Sequence, residues 1–488
     1  MTDGTARVPA GVTHGREHGY HRLMIARTDP GALASMLVDV GAELPQVRVL
    51  TDPTDRESYR LDETAYLKAG LPGAVAFPVS TTDVSGLLRL ATRHRVAVVP
   101  RGAGTGLSGG AAGIEGALTI VMTRLDQVLE IDAANLCVIT QPGVINAALK
   151  AAVAAEGLFY APDPASYESC SIGGNLGTNA GGLCCVKYGQ TRDSVLGLEV
   201  VLADGTVIRT GGRNVKDVAG YSLTHLFVGS QGTLGIITEA TLRLRTAPGP
   251  RSTLLAFFDS LDAAGDAVAR MTAAGLVPVT LELMDHETIR AVEDWHHLGL
   301  DTDAAALLMI ESDAPGPNAV AELDMAATAC LAAGGRSVVR AADAQEADWL
   351  RQARRLALRA LERQGTVRME DVGVPRARVP ELLRAIVRIT DAHGVRCATF
   401  GHAGDGNLHP NLIFDRDDPQ AAALTHRVRD EIFQAALDLG GTVTAEHGIG
   451  AARREWLPIQ LGVGAVAAMQ AIKDALDPLG ILNPGRVL

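Results

Sequence analysis

Apolar and polar positions change their period several times along the chain, and each change predicts an element. Ala74-Val75-Ala76-Phe77-Pro78 reads as a short strand, and Ser80-Thr81-Thr82-Asp83 offers N-cap chemistry before Leu87, Leu88 and Leu90, predicting a helix to about Arg95. An apolar strand follows at Val96-Ala97-Val98-Val99, and a helix from Ile145 to Glu156 is stopped by Gly157. Residues 31–70 are only weakly helical, and the first 28, mixing Gly, Arg, His and Pro, read as a loose tail. After Gly189, β-rich stretches such as Leu198-Glu199-Val200-Val201-Leu202 and Leu242-Arg243-Leu244 alternate with Gly/Asp turns. The order changes beyond Ala247-Pro248-Gly249-Pro250. Strands at 253–258, 279–285, 305–312 and 336–342 interleave with helices at 261–274 and 317–332, a βαββαβ succession of ferredoxin-like type. Amphipathic helices at about 344–363, 376–393, 418–438 and 459–475 complete the chain, separated by two short motif-bearing segments.

Composition narrows the class. A length of 488 residues suggests two or three domains at about 150 residues each, and 47% hydrophobic residues can bury a large core. The formal charge of −12 argues against nucleic acid or an anionic membrane as the main partner. Six cysteines without a CxxC argue against an iron–sulfur or four-cysteine zinc site and against a disulfide scaffold. With no long apolar run and no basic-then-apolar start, the expectation is a soluble cytoplasmic protein.

Glycine is concentrated. Arg101 to Gly116 holds seven glycines in sixteen residues, and Gly173 to Gly189 holds six in seventeen. Gly104-Thr105-Gly106-Leu107-Ser108-Gly109 matches G-x-G-x-x-G, but a dinucleotide fingerprint must open a helix, and the next regular segment, Ala117 to Met122, is apolar and β-branched. The alternative is a loop whose successive backbone N–H groups wrap a pyrophosphate. Two such loops in one β-rich half predict one long ligand cradled from two sides.

The C-terminal half carries Gly401-His402-Ala403-Gly404-Asp405-Gly406-Asn407-Leu408-His409-Pro410-Asn411 and Thr444-Ala445-Glu446-His447-Gly448-Ile449-Gly450. Imidazoles with a carboxylate suit Zn, Mn or Fe with a position left open. His402 and His409 do not share one helical face, so the turn at Gly404-Asp405-Gly406 must fold the chain back.

Together, Pro100 to Gly110, Ser171 to Asn175, Asn179 to Gly182 and Gly229-Ser230-Gln231-Gly232-Thr233-Leu234-Gly235-Ile236 resemble the FAD-binding domain of the vanillyl-alcohol oxidase / p-cresol methylhydroxylase superfamily. Over residues 70–488 the chain is similar to the glycolate oxidase D-subunit and D-lactate dehydrogenase branch. The resemblance implies an α+β protein: a two-subdomain FAD-binding domain (29–249), a ferredoxin-like cap domain with a metal site (250–450), and a C-terminal helical segment (451–488) returning to the FAD domain. It implies FAD contacts from Pro100, Arg101, Gly102, Ala103, Gly104, Thr105, Gly106, Ser108, Gly109 and Gly110 in the first loop. Ser171, Gly173, Gly174, Asn175, Asn179, Gly181 and Gly182 in the second, with Gly232, Gly235, Ile236, Ile237 and Asn483, would complete the cradle. Thr105 stands where some relatives tether the flavin to a His, so non-covalent FAD is expected. Cys170 borders the second loop and reads as a packing residue.

By the same carry-over, His402, His409 and Glu446 are metal ligands, Asn411 binds substrate and His447 is the catalytic base. Arg354 is either a further carboxylate contact or an ordinary helical arginine beside Arg351 and Arg355. Three positions depart from the family: Gln231 replaces a usual Glu, Arg453 a usual Lys, and Met369 the lysine of 2-hydroxyglutarate-type relatives. The expected activity is FAD-dependent, metal-assisted oxidation of a small 2-hydroxy acid, D-lactate or glycolate. The alternatives are a D-2-hydroxyglutarate dehydrogenase and a flavoprotein subunit of a glycolate oxidase complex that needs an iron–sulfur partner. Alkylglycerone-phosphate synthase shares the FAD fold but does not need the His402, His409 and Glu446 set. The electron acceptor would be a quinone, a cytochrome, an electron-transfer flavoprotein or an iron–sulfur subunit, through which the protein could sit at the inner membrane. A homodimer is the expected assembly.

Overall fold

The structure is a computed structural model that describes residues 28–64 and 66–488, so the predicted tail lies, but for Thr28, outside the described residues. Strands Arg48–Leu50, Ala74–Phe77, Leu118–Val121 and Val98–Arg101 form the first sheet in that order, antiparallel at its outer pair and parallel elsewhere. Helix Thr81–His94 packs Val84, Leu87, Leu88 and Leu90 into this core. The Ser80 side chain accepts from the Asp83 N–H at its start, and Arg95 ends it at φ 55°. The first glycine run leaves strand Val98–Arg101 and re-enters at Leu118 without a helix, which removes the dinucleotide-fingerprint reading.

The second sheet is antiparallel, with strands Val128–Asp132, Cys137–Thr140, Ile236–Arg243, Val195–Val201 and Val207–Gly211 in spatial order. The second glycine run departs from the expected loop. Its segment Ile172–Thr178 is a helix, because Ser171 caps it by accepting from the Gly174 N–H and Asn179 ends it at φ 53°. The caps, with Ile172 and Leu176 buried in the core, offset the cost of three helical glycines.

The third sheet holds eight strands. Gly335–Arg340, Ser252–Phe258, Ala306–Ser312 and Thr280–Asp285 lie side by side in the spatial order 4-1-3-2, which is the ferredoxin-like arrangement. The sheet then continues through Cys397–His402, Asn407–Phe414 and Thr366–Met369, and the short strand Val372–Gly373 also pairs with Asn407–Phe414. The sequence pattern does not predict these strands, since it shows only motif-bearing segments there. Nor does it predict helix His286–His296, which fills the connection between two ferredoxin strands. The single helix expected at 344–363 is two, Ala344–Arg355 and Ala357–Glu362, broken at Leu356. The chain end returns to the first sheet. Ile481 and Leu482 join its core, and Val98 and Asn483 are joined by a backbone hydrogen bond across that edge. Among the described residues no helix is long and apolar enough to cross a membrane.

The seam between Thr280–Asp285 and Cys397–His402 joins the ferredoxin half of the sheet to the strands that carry the histidines. Leu283 pairs with Gly401 and Met284 with Phe400 across it. Asp285 extends the seam by accepting from the Thr399 N–H (2.5 Å), while its other oxygen caps helix His286–His296 through the N–H and hydroxyl of Thr288. Burial pushes the Asp285 carboxyl from 3.8 up to about 6, against the pull of these donors. A folded value above the unfolded one means that the group's stabilising contribution is present in full below pH 3.8 and is lost as the pH rises through about 6. The difference is worth about 3 kcal/mol. Urea unfolding of Asp285→Asn should therefore show a flatter pH dependence than wild type between pH 4 and pH 6; identical slopes would contradict this assignment.

Candidate functional site

A cavity of about 660 Å³ runs between the two N-terminal sheets and the third, and both glycine runs open onto it. Its far wall comes from Pro100, Arg101, Gly102, Ala103, Gly104, Thr105, Gly106, Ser108 and Gly110, with Gly173, Gly174, Asn175, Gly181, Gly232, Gly235, Ile236 and Ile237. Side chains are excluded there for identifiable reasons. A Cβ on Gly104, at φ +86°, would lie 2.2 Å from the Arg101 guanidinium, and one on Gly232, at φ +69°, would lie 2.2 Å from the Pro100 ring. Bare backbone therefore faces the cavity.

Five of the expected cofactor residues do not reach it. Gly109 (φ +74°) packs against Leu67, and Gly182 against the Asp163 carbonyl. Ser171 and Asn179 are spent as helix caps. Asn483 donates to the carbonyls of Gly110 and Gln231 and so ties two loops together from behind. Arg101 lines the wall, but its guanidinium donates to the carbonyls of Leu61 and Ala111, bracing the loop. The sequence motifs do not point to the segment 164–169, which lines the cavity alongside Met122 and Pro142.

At the other end the hairpin Cys397–His402 and Asn407–Phe414 reverses over Ala403–Asp405, with Gly406 at φ 79°, as the spacing of the two histidines required. Phe400 pairs with His409 and His402 with Asn407, so His402 and His409 meet on neighbouring strands with ring centroids 5.3 Å apart. The second motif arrives from the opposite side. Asp371, fully buried, accepts the backbone N–H groups of Ala445, Glu446 and His447 on one oxygen (2.9, 3.0 and 2.8 Å), together with the Thr444 hydroxyl (2.7 Å). Its other oxygen accepts from the Asn407 side-chain amide (2.9 Å). One carboxylate thus holds the turn 444–447 against the hairpin.

Glu446 Oε1 is the centre of the constellation. It lies 3.2 Å from His402 Nε2, 3.2 Å from His409 Nε2 and 3.5 Å from His447 Nε2. The His409 and His447 rings stack, 9° apart in plane. Burial raises the Glu446 carboxyl, but the surrounding imidazoles, His402 foremost, hold it well below the carboxylate range. Burial lowers His402, and Glu282 and Glu446 more than reverse this, so that His402 ends well above its ordinary value. His409 is lowered, chiefly by burial.

This donor set fits a divalent cation. Three imidazole nitrogens and an anionic oxygen converge on one point, and Nδ1 of both His409 and His447 is buried without a hydrogen-bond partner. By distance alone, Asp371, His409, Glu446 and His447 form the tightest group, with one ligand atom from each within 4.8 Å of the others. Asp371 already accepts five hydrogen bonds, however, and serves better as a brace than as a ligand.

Arg354 is no ordinary surface arginine. It is 3% exposed, stands over the Phe400 ring at 4.5 Å, lines the cavity, and has one amino group 2.7 Å from Glu282 Oε2 while its Nε is unpartnered. Asn411, by contrast, does not reach the cavity. It is fully buried, and its amide protons go to the carbonyls of Ala398 and His409. Glu282 was not legible in the sequence. Its only signal was a single carboxylate inside an apolar strand.

The N-terminal half, residues 72–211, matches the family model of an FAD binding domain, and residues 247–487 match that of FAD linked oxidases, C-terminal domain. The glycolate oxidase subunit GlcD of Bacillus subtilis is 44% identical over 430 residues, 88% of this chain and 91% of that protein. The chain belongs to the FAD-linked oxidases. A D-2-hydroxyglutarate dehydrogenase of Xanthomonas citri is 36% identical, over 94% of this chain and 97% of that one. The fold is also that of p-cresol methylhydroxylase, with a TM-score of 0.79 at 16% identity, covering 94% of this chain and 97% of that one. The protein is an FAD-linked oxidoreductase, and the bare-backbone wall belongs to its FAD-binding half.

Gly181 shows how closely the two ends of the cavity approach: a Cβ there would stand 2.3 Å from Glu446 Oε2. Gly181→Ala should push the carboxylate away from the histidines and weaken divalent-cation retention by roughly tenfold or more. Chelator competition measures this; unchanged affinity would remove Glu446 from the cation site.

Proposed function

We propose that this chain oxidises a small 2-hydroxy acid, D-lactate or glycolate, to the 2-oxo acid, with FAD held non-covalently along the glycine wall. The observation that carries the reading is the meeting of His402, His409 and His447 on Glu446 Oε1, beside Arg354, at the end of the cavity that begins at that wall. A divalent metal, Zn or else Mn or Fe, held by His402, His409 and Glu446 would supply the Lewis acidity that lowers the pKa of the substrate hydroxyl. Arg354 presents an unpartnered guanidinium edge to the substrate carboxylate. His447 takes the hydroxyl proton at Nε2, and FAD held along the glycine wall would be the acceptor of the Cα hydrogen as hydride. Two hydrogens are thus removed in all, one as a proton and one as hydride, and the 2-oxo acid is left.

The remaining wall supports a small or apolar substituent. Met369, Phe400, Leu356 and Leu358 line the cavity near Arg354, and the arginines beside them, Arg355 and Arg359, are already paired with Asp163 and with Glu63 and Glu362. Electrons then pass to a quinone, a cytochrome, an electron-transfer flavoprotein or an iron–sulfur subunit; the word "subunit" in the name of the Bacillus relative favours the last.

Anaerobic titration of the purified flavoprotein with D-lactate, glycolate and D-2-hydroxyglutarate tests the reading. D-lactate or glycolate should bleach the oxidised-flavin band; the bleaching should vanish after chelation and return with zinc. Bound flavin that none of the acids reduces, with metal restored, would overturn it. In the same assay His447→Gln should slow flavin reduction by about 10²–10⁴-fold without changing flavin content, the usual worth of a general base.

A further inference from the structure

We infer that Glu282 is a positioning residue that fixes the His402 ring and the Arg354 guanidinium at once, so that the cation-holding and carboxylate-holding halves of the site share one buried side chain. Glu282 is 1% exposed and sits in strand Thr280–Asp285, where Leu281 and Leu283 face one core of the sheet. The alternation of the strand turns Glu282 to the opposite face, towards Phe400 and His402 on the adjoining strand. There Oε1 lies 2.7 Å from His402 Nδ1, and Oε2 lies 2.7 Å from Arg354 Nη2.

An ionised carboxylate can only accept. Opposite His402 Nδ1 it therefore requires a proton on that nitrogen, so that when a cation is bound it is the Nε2 lone pair, on the side of Glu446 3.2 Å away, that is free to ligate it. That is the tautomer a metal-binding imidazole needs, and carboxylate support of the far ring nitrogen is the general way of securing it. The second oxygen acts on Arg354. The guanidinium is held over the Phe400 ring by this ion pair, and neither its Nε nor its Nη2 makes a hydrogen bond within the protein.

An isosteric amide cannot do both. If a glutamine oxygen faced His402, its NH2 group would face the NH2 of Arg354, donor against donor. If it faced Arg354, the NH2 would donate to Nδ1 and drive the ring to the Nε2–H tautomer, which cannot ligate. Glu282→Gln thus keeps volume and burial and removes only the shared acceptor. Glu282→Asp keeps the charge and loses one methylene of reach.

The part of this inference that concerns Arg354 rests on the proposed 2-hydroxy acid chemistry; the part that concerns His402 does not. The experiment uses the full-length flavoprotein as wild type, Glu282→Gln and Glu282→Asp. Flavin absorbance checks the fold, zinc affinity is read by chelator competition without substrate, and the His402 tautomer is read from 15N shifts of histidine-labelled protein. KM and kcat are measured for whichever acid reduces the flavin. Glu282→Gln is expected to retain flavin, to bind zinc 10–100-fold more weakly, to show the Nε2–H tautomer at His402, and to raise KM. Glu282→Asp should keep the Nδ1–H tautomer and recover part of the zinc affinity. Wild-type zinc affinity together with an Nδ1–H ring in Glu282→Gln would overturn the inference, as would a rise in KM alone, which would make Glu282 a support of Arg354 only. Should Glu282→Gln lose its flavin, the same readouts on Glu282→Asp decide: a wild-type zinc affinity there would overturn the inference. A wild type that reduces its flavin with no 2-hydroxy acid would refute the proposed reaction while leaving the zinc and 15N results to judge Glu282. If the wild type binds no zinc, the cation reading falls, and with it the inference that Glu282 orients a ligand.

Discussion

The whole site depends on the buried carboxylate of Asp371. Three consecutive backbone N–H groups cannot be buried unpaired, since each would cost about 1–3 kcal/mol, and one Asp371 carboxylate oxygen accepts from all three. That oxygen turns 444–447 so that the Glu446 and His447 side chains leave on the cavity side, and the companion oxygen anchors the turn to Asn407 at the hairpin. Burial raises the Asp371 carboxyl, but His447, His409 and their neighbours bring it below its ordinary value, so it stays ionised and able only to accept. Next to it in sequence, Glu370 does the complementary work. It takes Arg368 (2.8 Å) and the fully buried Arg453 (3.3 Å), and Arg453 reaches on to the Gly448 carbonyl. The acidic pair 370–371 thus fixes the front and the back of one turn.

Much of this is legible in the residues alone, and what is not has a physical reason. The helix at 81–94 and the ferredoxin order were legible because capping residues and apolar period agree with burial. The return of the chain between His402 and His409 followed from spacing and glycine alone. Strands Cys397–His402 and Asn407–Phe414 were not legible, because a strand that carries His, Asn and Gly at its functional end loses the β-branched apolar pattern by which strands are recognised. The helix in the second glycine run was hidden for the opposite reason: its interior contradicts helix propensity, and its support comes from its caps and the burial of Ile172 and Leu176. The glycine wall came out well as a region and less well residue by residue. Spacing marks where backbone is bare, but it does not say which positions face the ligand and which, like Gly109 and Asn483, hold the loop from behind.

Residues that support others were the least visible class. Glu282 and Asp371 carry no motif of their own, since a carboxylate used as an acceptor can sit wherever the sheet places it. Arg354 and Asn411 show the same limit in both directions. Asn411 was expected to bind substrate and Arg354 was left open, yet Arg354 lines the cavity and Asn411 has given its amide protons to neighbouring carbonyls. What separates them is the local hydrogen-bond count, which exists only once the strands are paired.

Gln231 plays the supporting part across the domain boundary. Held at φ 52° and buried, it donates from Nε2 to the Ser108 hydroxyl (3.0 Å) and accepts the Gly450 N–H on Oε1 (2.8 Å). Its own carbonyl accepts from Asn483, and its N–H donates to the Gly177 carbonyl. The first glycine loop, the helix in the second run, the segment that follows the turn 444–447 and the chain terminus therefore all meet on one residue. A carboxylate at this position could accept from both Ser108 and Gly450, whereas the amide gives one bond and takes one, leaving the Ser108 hydroxyl proton free to donate elsewhere. The replacement keeps the connection and reverses one hydrogen bond within it. This is why a neutral side chain suffices at a junction whose task is to hold the backbone of two domains in register, and why the negative charge of the site can remain concentrated at Glu446, Glu282 and Asp371, where the histidines are.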